Sequence, residues 1–240
     1  MMSQFKKVVK SVIGSIGRVS AGHNGKGKVA RNIRRTANVR RLTGFTLSSP
    51  DRIDSLIRLA DYCNDNNIAG DFVECGTFKG GSAAVLSMCM GEGRHMWLYD
   101  SFKGMPETID RDGQEAAKYV GACAATVEDV KEAMRAISVP DASYSIIEGW
   151  FEDTFKARNL PERVALLHCD ADWYNSVHLV LNTFYDRIPD GGCIILDDFG
   201  YWEGCREAFY DFCSTKGIKP LLERVGPTQA YWIKGKEANR

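Results

Sequence analysis

The sequence predicts an α/β protein: a doubly wound, mostly parallel sheet of seven strands with a C-terminal antiparallel hairpin and a basic helical extension at the N-terminus. Three observations favour this fold. Short apolar segments alternate with helical segments, which is typical of a parallel sheet covered by helices. Glycine-rich and acidic segments directly follow the apolar ones, where the ligand site of such a sheet lies. The first 50 residues contain 11 Lys or Arg and no Asp or Glu, so a basic arm precedes an acidic body.

The strands and helices alternate in order along the body. Ser49, Pro50 and Asp51 start the first helix as N-cap, first-turn proline and acid beside the helix dipole. Parallel strands are predicted at residues 71–75, 96–100, 143–147, 164–169 and 193–196. Helices are predicted at residues 49–64, 82–90, 173–188 and 203–216, and a further helix starts at Thr126. Residues 221–225 and 229–233 form the closing hairpin around Gly226 and Pro227.

Residues 1–48 are predicted as a separate extension, and residues 49–240 as the main domain. Apolar side chains within residues 5–16 recur at helical spacing, with lysines off that face. Such a helix can lie on an anionic membrane, pack on the body or a second subunit, or act as a targeting peptide. We therefore expect a homo-oligomer and keep peripheral membrane contact open. Residues 20–41 are expected to be a basic linker or short helix, and nucleic-acid binding is disfavoured because no aromatic residues interleave the charges.

The first candidate site is the segment ECGTFKGGS, from Glu74 to Ser82, which follows the first strand and opens a helix. Its glycines allow close approach to a ligand, but their spacing matches neither a dinucleotide fingerprint nor a phosphate loop. Glu74 at the mouth of the loop would repel a pyrophosphate and favour a cation such as S-adenosylmethionine. Asp100, which ends the second strand, can accept both ribose hydroxyl protons. The alternative is a plain turn between strand and helix.

The second candidate site is acidic. Asp170 and Asp172 follow the fourth strand, and Asp197 and Asp198 follow the fifth. If those strands are neighbours, four carboxylates converge and require a cation, because like charges raise each other's pKa. Oxygen ligands suit Mg²⁺ or another hard divalent cation. We expect Asp170, Asp197 and Asp198 to be ligands and Asp172 to be a base. In the alternative, Asp172 caps the following helix.

These two sites predict one reaction. An aliphatic hydroxyl is a poor nucleophile at neutral pH, and a divalent metal that binds its oxygen lowers its pKa. A nearby carboxylate can then remove the proton, and the oxygen can attack the sulfonium methyl group in line. The sequence therefore indicates an O-methyltransferase that uses S-adenosylmethionine and a hard divalent cation, with a hydroxyl-bearing acceptor as its partner.

Six ordered motifs resemble the macrocin O-methyltransferase family: ECGTFKGGSA, LYDSFKGMPE, TVEDV, EGWFEDT, LLHCDADWYNSV and GGCIILDDFG. They span roughly residues 50–235. The family consists of metal-dependent enzymes that methylate sugar hydroxyls, often in glycosylated natural products. The chain departs from the family at Trp173, where leucine is usual, and at Ser176-Val177, where Ser-Thr is usual.

The resemblance implies cofactor binding at Glu74, Gly76, Ser82 and Asp100, and contacts to the adenine end near Gly149 and Trp150. It also implies a metal on Asp170, Asp197 and Asp198, with Asp172 as the base. The predicted cofactor set further includes neighbouring residues of the same two loops, namely Thr77, Gly80, Gly81 and Ser101.

Several other residues have two interpretations. His168 is expected to be a packed or hydrogen-bonded core histidine rather than a catalytic one. Residues 101–125 are typical of a mobile lid over the cofactor. Four aromatic residues could stack on a sugar ring or belong to the core, namely Trp150, Trp173, Tyr201 and Trp202.

Two other functions stay open at this stage. A glycosyltransferase also holds a metal and a sugar nucleotide with an Asp-x-Asp motif, and Asp170-Ala171-Asp172 has that spacing. A methyltransferase-like scaffold whose arm binds membrane or RNA is the non-enzymatic alternative. The eight cysteines include no C-x-x-C pair, which favours reduced thiols and a cytoplasmic location, with membrane association through the arm kept open.

Overall fold

The computed structural model describes residues 25–157 and 160–236, and it contains one seven-stranded sheet. The strands are β1 (Asp71–Cys75), β2 (Met96–Asp100), β3 (Tyr144–Glu148), β4 (Val164–Cys169), β5 (Cys193–Leu196), β6 (Glu223–Val225) and β7 (Gln229–Ile233). Their order in the sheet is β3-β2-β1-β4-β5-β7-β6. The first five strands pair in parallel, and β7 runs antiparallel to both β5 and β6. The predicted fold class is confirmed.

Helices cover both faces of the sheet. They are α1 (Gly25–Arg41), α2 (Pro50–Asp65), α3 (Gly81–Cys89), α4 (Val127–Ala136), α5 (Phe151–Thr154), α6 (Tyr174–Phe184) and α7 (Glu203–Lys216). Buried residues of α2, α3 and α4 form one apolar core with one sheet face. Buried residues of α6 and α7 form a second core with the other face.

The chain order places the topological switch between β1 and β4. The chain runs outward from β1 to β2 and β3, then returns to add β4 and β5 on the other side of β1. At such a switch the loops that follow the two central strands diverge and leave a crevice. The loops at this crevice are the glycine-rich segment after β1 and the acidic segment after β4, as the sequence predicts.

Two predicted helix starts differ in their caps. Thr126 is the N-cap of α4, and its hydroxyl accepts the Asp129 N–H at 3.1 Å while the Asp129 carboxylate accepts the Thr126 N–H at 2.8 Å. This reciprocal pair satisfies backbone donors that a helix N-terminus leaves free. Ser49 stands at the N-cap of α2 next to Pro50, but its side chain makes no capping hydrogen bond. Proline and Asp51 in the first turn therefore start α2 without that cap.

The basic segment before residue 48 contacts the body. Helix α1 begins at Gly25, so residues 25–41 are the short basic helix that the sequence left open. Arg35 pairs with Asp61 of α2 at 2.6 Å, and Leu42 is buried in the core. The Phe45 carbonyl accepts the Gly81 N–H at 3.0 Å, which joins this segment to the start of α3.

Residues 5–16 lie outside the described residues, so their helix, their membrane contact and the self-association expected from them stay predictions. The domain boundary after residue 48 also stays a prediction. No helix within the described ranges combines the length and the apolar character needed to cross a bilayer.

Candidate active site

A cavity of about 220 Å³ opens at the carboxyl ends of the strands, at the switch point. Its walls come from the loops after β1, β2, β3, β4 and β5, and from residues 45–48 before α2. A larger open cleft of about 1100 Å³ lies near the amino ends of the strands, between α1 and α2. Its charges include the paired Arg35 and Asp61, and it contains none of the glycine-loop or aspartate-cluster residues. The smaller cavity is therefore the candidate site.

The glycine loop is held tightly between β1 and the loop after β4. Gly76 has φ +88°, and a Cβ added there would lie 1.7 Å from the Asp170 carbonyl oxygen. Only glycine combines this backbone conformation with so close an approach. The loop therefore passes directly beside the backbone of Asp170, and the two predicted sites adjoin each other.

Asp100 supports the glycine loop from the end of β2. Its Oδ2 accepts the backbone N–H groups of Thr77 at 2.7 Å and Phe78 at 2.8 Å, and its Oδ1 accepts that of Phe102 at 2.7 Å. A carboxylate has about four accepting positions, two on each oxygen. Backbone N–H groups use three of these positions, so Asp100 has room for one further hydroxyl proton rather than the two that the sequence predicts.

Glu74 lies beneath the loop rather than at its mouth. Its side chain is 0% exposed and does not line the cavity, in contrast to the sequence-based expectation. The reason is strand alternation, because Glu74 shares the sheet face of Phe72, which packs in the core with α2, α3 and α4. Its Oε1 lies 2.8 Å from His168 Nδ1, and among the described residues its Oε2 has no hydrogen-bond partner.

Asp197 is surrounded by hydrogen-bond donors. Arg52 from α2 contacts its Oδ2, and Gln229 Nε2 donates to its Oδ1 at 2.7 Å. His168 Nε2 lies 3.4 Å from the same Oδ1. Burial raises the pKa of Asp197, but the His168 and Arg52 cations and the Gln229 hydrogen bond outweigh it and hold the pKa below its usual value. Asp197 is therefore an ionised carboxylate.

His168 bridges two carboxylates. Burial lowers its pKa, but its hydrogen bonds with Asp197 and Glu74 outweigh this effect and raise the pKa to about 9. An imidazole that donates from both nitrogens carries a positive charge. His168 is buried, and its two ring nitrogens face the carboxylates of Glu74 and Asp197, which agrees with the expectation of a hydrogen-bonded core histidine.

The other three aspartates form a cluster. One carboxylate oxygen each from Asp170, Asp172 and Asp198 lie within 4.8 Å of one another. Desolvation by the surrounding protein, and then repulsion between these neighbours, raises the pKa of Asp170 and of Asp172 well above the usual value. For Asp198, burial and then repulsion by Asp197 raise the pKa to about 6, against the opposing effects of hydrogen bonds with Asp170 and Asp172 and of the Arg52 charge. Asp170 also groups with Asp197 and His168 within the same distance limit, so it is shared by both acidic sets.

Asp172 faces the cluster because its backbone turns sharply. Its φ is +55°, in the left-handed region that non-glycine residues seldom adopt. Trp202 Nε1 donates to its Oδ1 at 2.9 Å. The helix-cap alternative is wrong, because Trp173 is the N-cap of α6 and Asp112 accepts the Tyr174 N–H at 2.7 Å.

Comparison of the sequence with models of known protein families identifies the family of this chain. The family model described as Macrocin-O-methyltransferase (TylF) matches residues 3–234. The chain belongs to the macrocin O-methyltransferase family. It is therefore an enzyme of the S-adenosylmethionine-dependent methyltransferase class, and the glycosyltransferase and scaffold alternatives are not retained.

Relatives of this methyltransferase include proteins named as O-methyltransferases. It is 29% identical to the 8-demethyl-8-(2,3-dimethoxy-alpha-L-rhamnosyl)-tetracenomycin-C 4'-O-methyltransferase of Streptomyces olivaceus, over 78% of this chain and 74% of that enzyme. It is 26% identical to the mycinamicin III 3''-O-methyltransferase of Micromonospora griseorubida, over 78% and 77%. Among solved structures, the O-methyltransferase NovP superposes with TM-score 0.75 at 24% identity, over 80% of this chain and 83% of NovP. This last likeness shows the shared fold.

In this macrocin O-methyltransferase family member, the cavity brings most of the predicted site residues together. The lining includes the predicted cofactor residues Gly76, Thr77, Ser82, Asp100, Ser101, Gly149 and Trp150, and the four aspartates Asp170, Asp172, Asp197 and Asp198. Glu74, Gly80 and Gly81 do not line it. Gly80 is the left-handed N-cap of α3, and Gly81 packs against Phe45. The roles of all these residues stay proposals.

Sequence reasoning missed Arg52 and Gln229, which bind Asp197 from distant parts of the methyltransferase chain. No local motif marks either residue. Of the aromatic candidates, Trp173 and Trp202 are buried against each other with ring centroids 4.9 Å apart, while Trp150 lines the cavity and Tyr201 is 55% exposed. Core packing is therefore the right interpretation of Trp173. The segment predicted as a lid, residues 101–125, is joined to Trp173 by one hydrogen bond, in which the Pro106 carbonyl accepts the Trp173 Nε1–H at 3.0 Å.

Proposed function

We propose that this enzyme is a Mg²⁺-dependent O-methyltransferase that methylates a hydroxyl of a sugar or of a glycosylated small molecule. The observation that carries the proposal is the close meeting of the glycine loop and the aspartate cluster in one cavity. The names of the Streptomyces and Micromonospora relatives, which specify sugar positions, support the acceptor class.

The loop after β1 suits a cofactor that approaches the backbone closely. Gly76, Thr77 and Ser82 line the cavity, and among the described residues the buried Thr77 hydroxyl has no hydrogen-bond partner. A buried polar atom without a partner is costly, so a ligand that bonds it would stabilise the loop. We infer that these residues hold S-adenosylmethionine, with one accepting position of Asp100 for its ribose and Gly149 and Trp150 at its adenine end. The bound cofactor supplies the methyl group.

The aspartates fit a hard divalent cation. Their ligand atoms are all carboxylate oxygens, and their mutual repulsion favours a positive charge between them. We infer that Asp170, Asp197 and Asp198 hold Mg²⁺, with Asp170 as the residue common to both acidic groups. The metal, when bound, supplies Lewis-acid activation that lowers the pKa of the acceptor hydroxyl.

Asp172 is proposed as the base. It lies in the cavity beside Asp170 and Asp198, and the Trp202 indole N–H fixes the orientation of its carboxylate. A base must lie within hydrogen-bond reach of the proton that it accepts, so this fixed orientation is what its role requires. The cavity walls would hold the acceptor hydroxyl beside the cofactor when both are bound.

The test uses the full chain with S-adenosylmethionine and a panel of deoxysugar-bearing natural products, followed by mass spectrometry. We expect a gain of one methyl group on the sugar in Mg²⁺, loss of turnover in chelator, and recovery when Mg²⁺ is restored. Turnover that persists in chelator would contradict the metal role. Methylation of the aglycone but not the sugar would contradict the acceptor class.

A further inference from the structure

A row of three buried ionisable side chains crosses the sheet at the carboxyl end of one face. Glu74 lies in β1 and its neighbour His168 in β4, and Asp197 follows β5. Side chains two residues apart in a strand share a face. On this face the preceding positions are apolar core residues, namely Phe72, Leu166 and Ile195. The row is thus a polar edge on an otherwise apolar surface.

His168 connects the two ends of the row. Its Nδ1 lies 2.8 Å from Glu74 Oε1, and its Nε2 lies 3.4 Å from Asp197 Oδ1. All three side chains are buried. Two residues further along the chain from Glu74, Gly76 lines the cavity as part of the glycine loop. Asp197 belongs to the proposed cation ligands. The imidazole ring therefore connects the strand that leads into the glycine loop with a proposed cation ligand.

Stability alone does not explain this row. Buried ionic groups lose their hydration, and apolar side chains of similar volume are often equally stabilising or more so. The apolar positions immediately before the row show that this face accommodates such side chains. The three ionisable side chains are therefore expected to have a role that apolar side chains could not have. The positions of Glu74 and Asp197 at the two ends of the row indicate what that role is.

We propose that His168 is a positioning residue that couples the glycine loop to the proposed cation ligand Asp197, so that cofactor and divalent cation alter each other's affinity. This inference rests on the proposed function. A cation that engages Asp197 competes for this carboxylate with His168, and also with Arg52 and Gln229, which contact the same group. The shorter of the two ring contacts, the one with Glu74, is then the contact that remains. By linkage, the effect on the two affinities is reciprocal.

The test measures binding rather than turnover. S-adenosylhomocysteine is titrated calorimetrically into the full chain, once in chelator and once in saturating Mg²⁺. This probe lacks the sulfonium charge, so its direct repulsion by a dication is small. We expect its Kd to differ by about fivefold or more between the two conditions, which is within the usual range of coupling between sites. Mg²⁺ titrated with and without the probe should give the same factor.

The variant His168→Gln tests whether the ring carries the coupling. A glutamine side chain can reach one carboxylate but cannot donate to both from opposite ends. We expect the variant to bind S-adenosylhomocysteine while its coupling factor falls close to one. The control is His178→Gln on α6, where the ring stacks on Tyr174 outside the cavity. This control should keep the wild-type factor.

Each outcome decides between the two proposals. An equal affinity for S-adenosylhomocysteine in chelator and in Mg²⁺, measured on the wild type, overturns the coupling even if His168→Gln fails to fold. A folded His168→Gln protein with undiminished coupling overturns the role of the ring. Sugar methylation without coupling leaves the proposed function intact. Failure of the probe to bind in either condition overturns both.

Discussion

Asp100 Oδ2 accepts the backbone N–H of Thr77 at 2.7 Å, which ties the end of β2 to the glycine loop after β1. The same oxygen accepts the Phe78 N–H at 2.8 Å, and Phe78 has the left-handed φ of +49°. A carboxylate that accepts several backbone N–H groups fixes the loop conformation before any ligand arrives. Asp100 therefore shapes the loop in addition to any direct contact with a cofactor.

Replacement of this carboxylate should weaken both the loop and cofactor binding. Asp100→Asn replaces an accepting oxygen with an NH₂ group that cannot accept. We expect a loss of about 1–3 kcal/mol of unfolding free energy, as for other buried groups left without a partner. S-adenosylhomocysteine affinity should fall about tenfold, equivalent to about 1.4 kcal/mol. Urea denaturation and calorimetry measure the two effects.

The matched control is Asp54→Asn. Asp54 is 56% exposed on α2 and pairs with Arg58 one turn away. Exposed pairs of this kind contribute little to stability. We expect no change in cofactor affinity, and equal affinities for the two variants would refute the loop role of Asp100.

The variant Asp198→Asn should abolish metal-stimulated methyl transfer while it leaves cofactor affinity within a few fold. Asp198 contributes to the aspartate cluster, and its backbone carbonyl accepts the N–H groups of Tyr201 and Trp202 rather than one from the glycine loop. Loss of one carboxylate charge weakens the attraction for a cation. Turnover at several Mg²⁺ concentrations and calorimetry with S-adenosylhomocysteine give the two quantities. Asp186→Asn is the control, because Asp186 forms an exposed ion pair with Lys216 and its side chain is 72% exposed.

The indole of Trp202 should affect kcat more than cofactor KM. Trp202→Phe keeps an aromatic ring in the core but removes the N–H that donates to Asp172 Oδ1 at 2.9 Å. Hydrogen bonds to charged groups contribute about 1.5–3 kcal/mol. If that contribution orients the base, kcat falls by about tenfold or more, at about 1.36 kcal/mol per factor of ten. Steady-state kinetics with each substrate varied separates kcat from the two KM values.

A chemically matched control lies at the other end of the sheet. Trp97 Nε1 donates to Asp71 Oδ2 at 2.9 Å, so Trp97→Phe removes the same kind of hydrogen bond far from the cavity. We expect an unchanged kcat in this variant. Equal losses of kcat in both tryptophan variants would show that the effect comes from general destabilisation.

Gly76 should tolerate no side chain. In Gly76→Ala, the new Cβ would meet the Asp170 carbonyl oxygen at a backbone φ of +88°. We expect a loss of at least about 3 kcal/mol, or failure to fold, because a backbone clash adds to the strain of the left-handed region. Gly93→Ala isolates the strain, since Gly93 has φ +76° and no atom within 4 Å of an added Cβ. That variant should lose only about 1–2 kcal/mol. Urea unfolding distinguishes the two, and equal losses would disprove the clash.

Local periodicity was sufficient for the fold. The alternation of apolar and helical segments predicts all seven strands, with start positions that differ by at most two residues, as at β6. The parallel connections place the carboxyl ends of β1 to β5 at one edge of the sheet, which predicts that the glycine loop and the four aspartates lie there. These features depend on neighbours in sequence and on chain handedness, which the sequence records directly.

The directions of individual side chains depended on contacts between distant segments. Glu74 and His168 are 94 residues apart, and Arg52 and Asp197 are 145 apart. No local sequence pattern shows that the Glu74 side chain lies beneath its loop. Nor does one show that Asp100 accepts hydrogen bonds from three backbone N–H groups, or that Asp197 contacts Arg52 and Gln229. Motifs thus identify the residue types that reach the cavity edge. Which partner each charge finds is set by the packing of strands and helices, because electrostatic and hydrogen-bond energies depend on distances that only the folded chain defines.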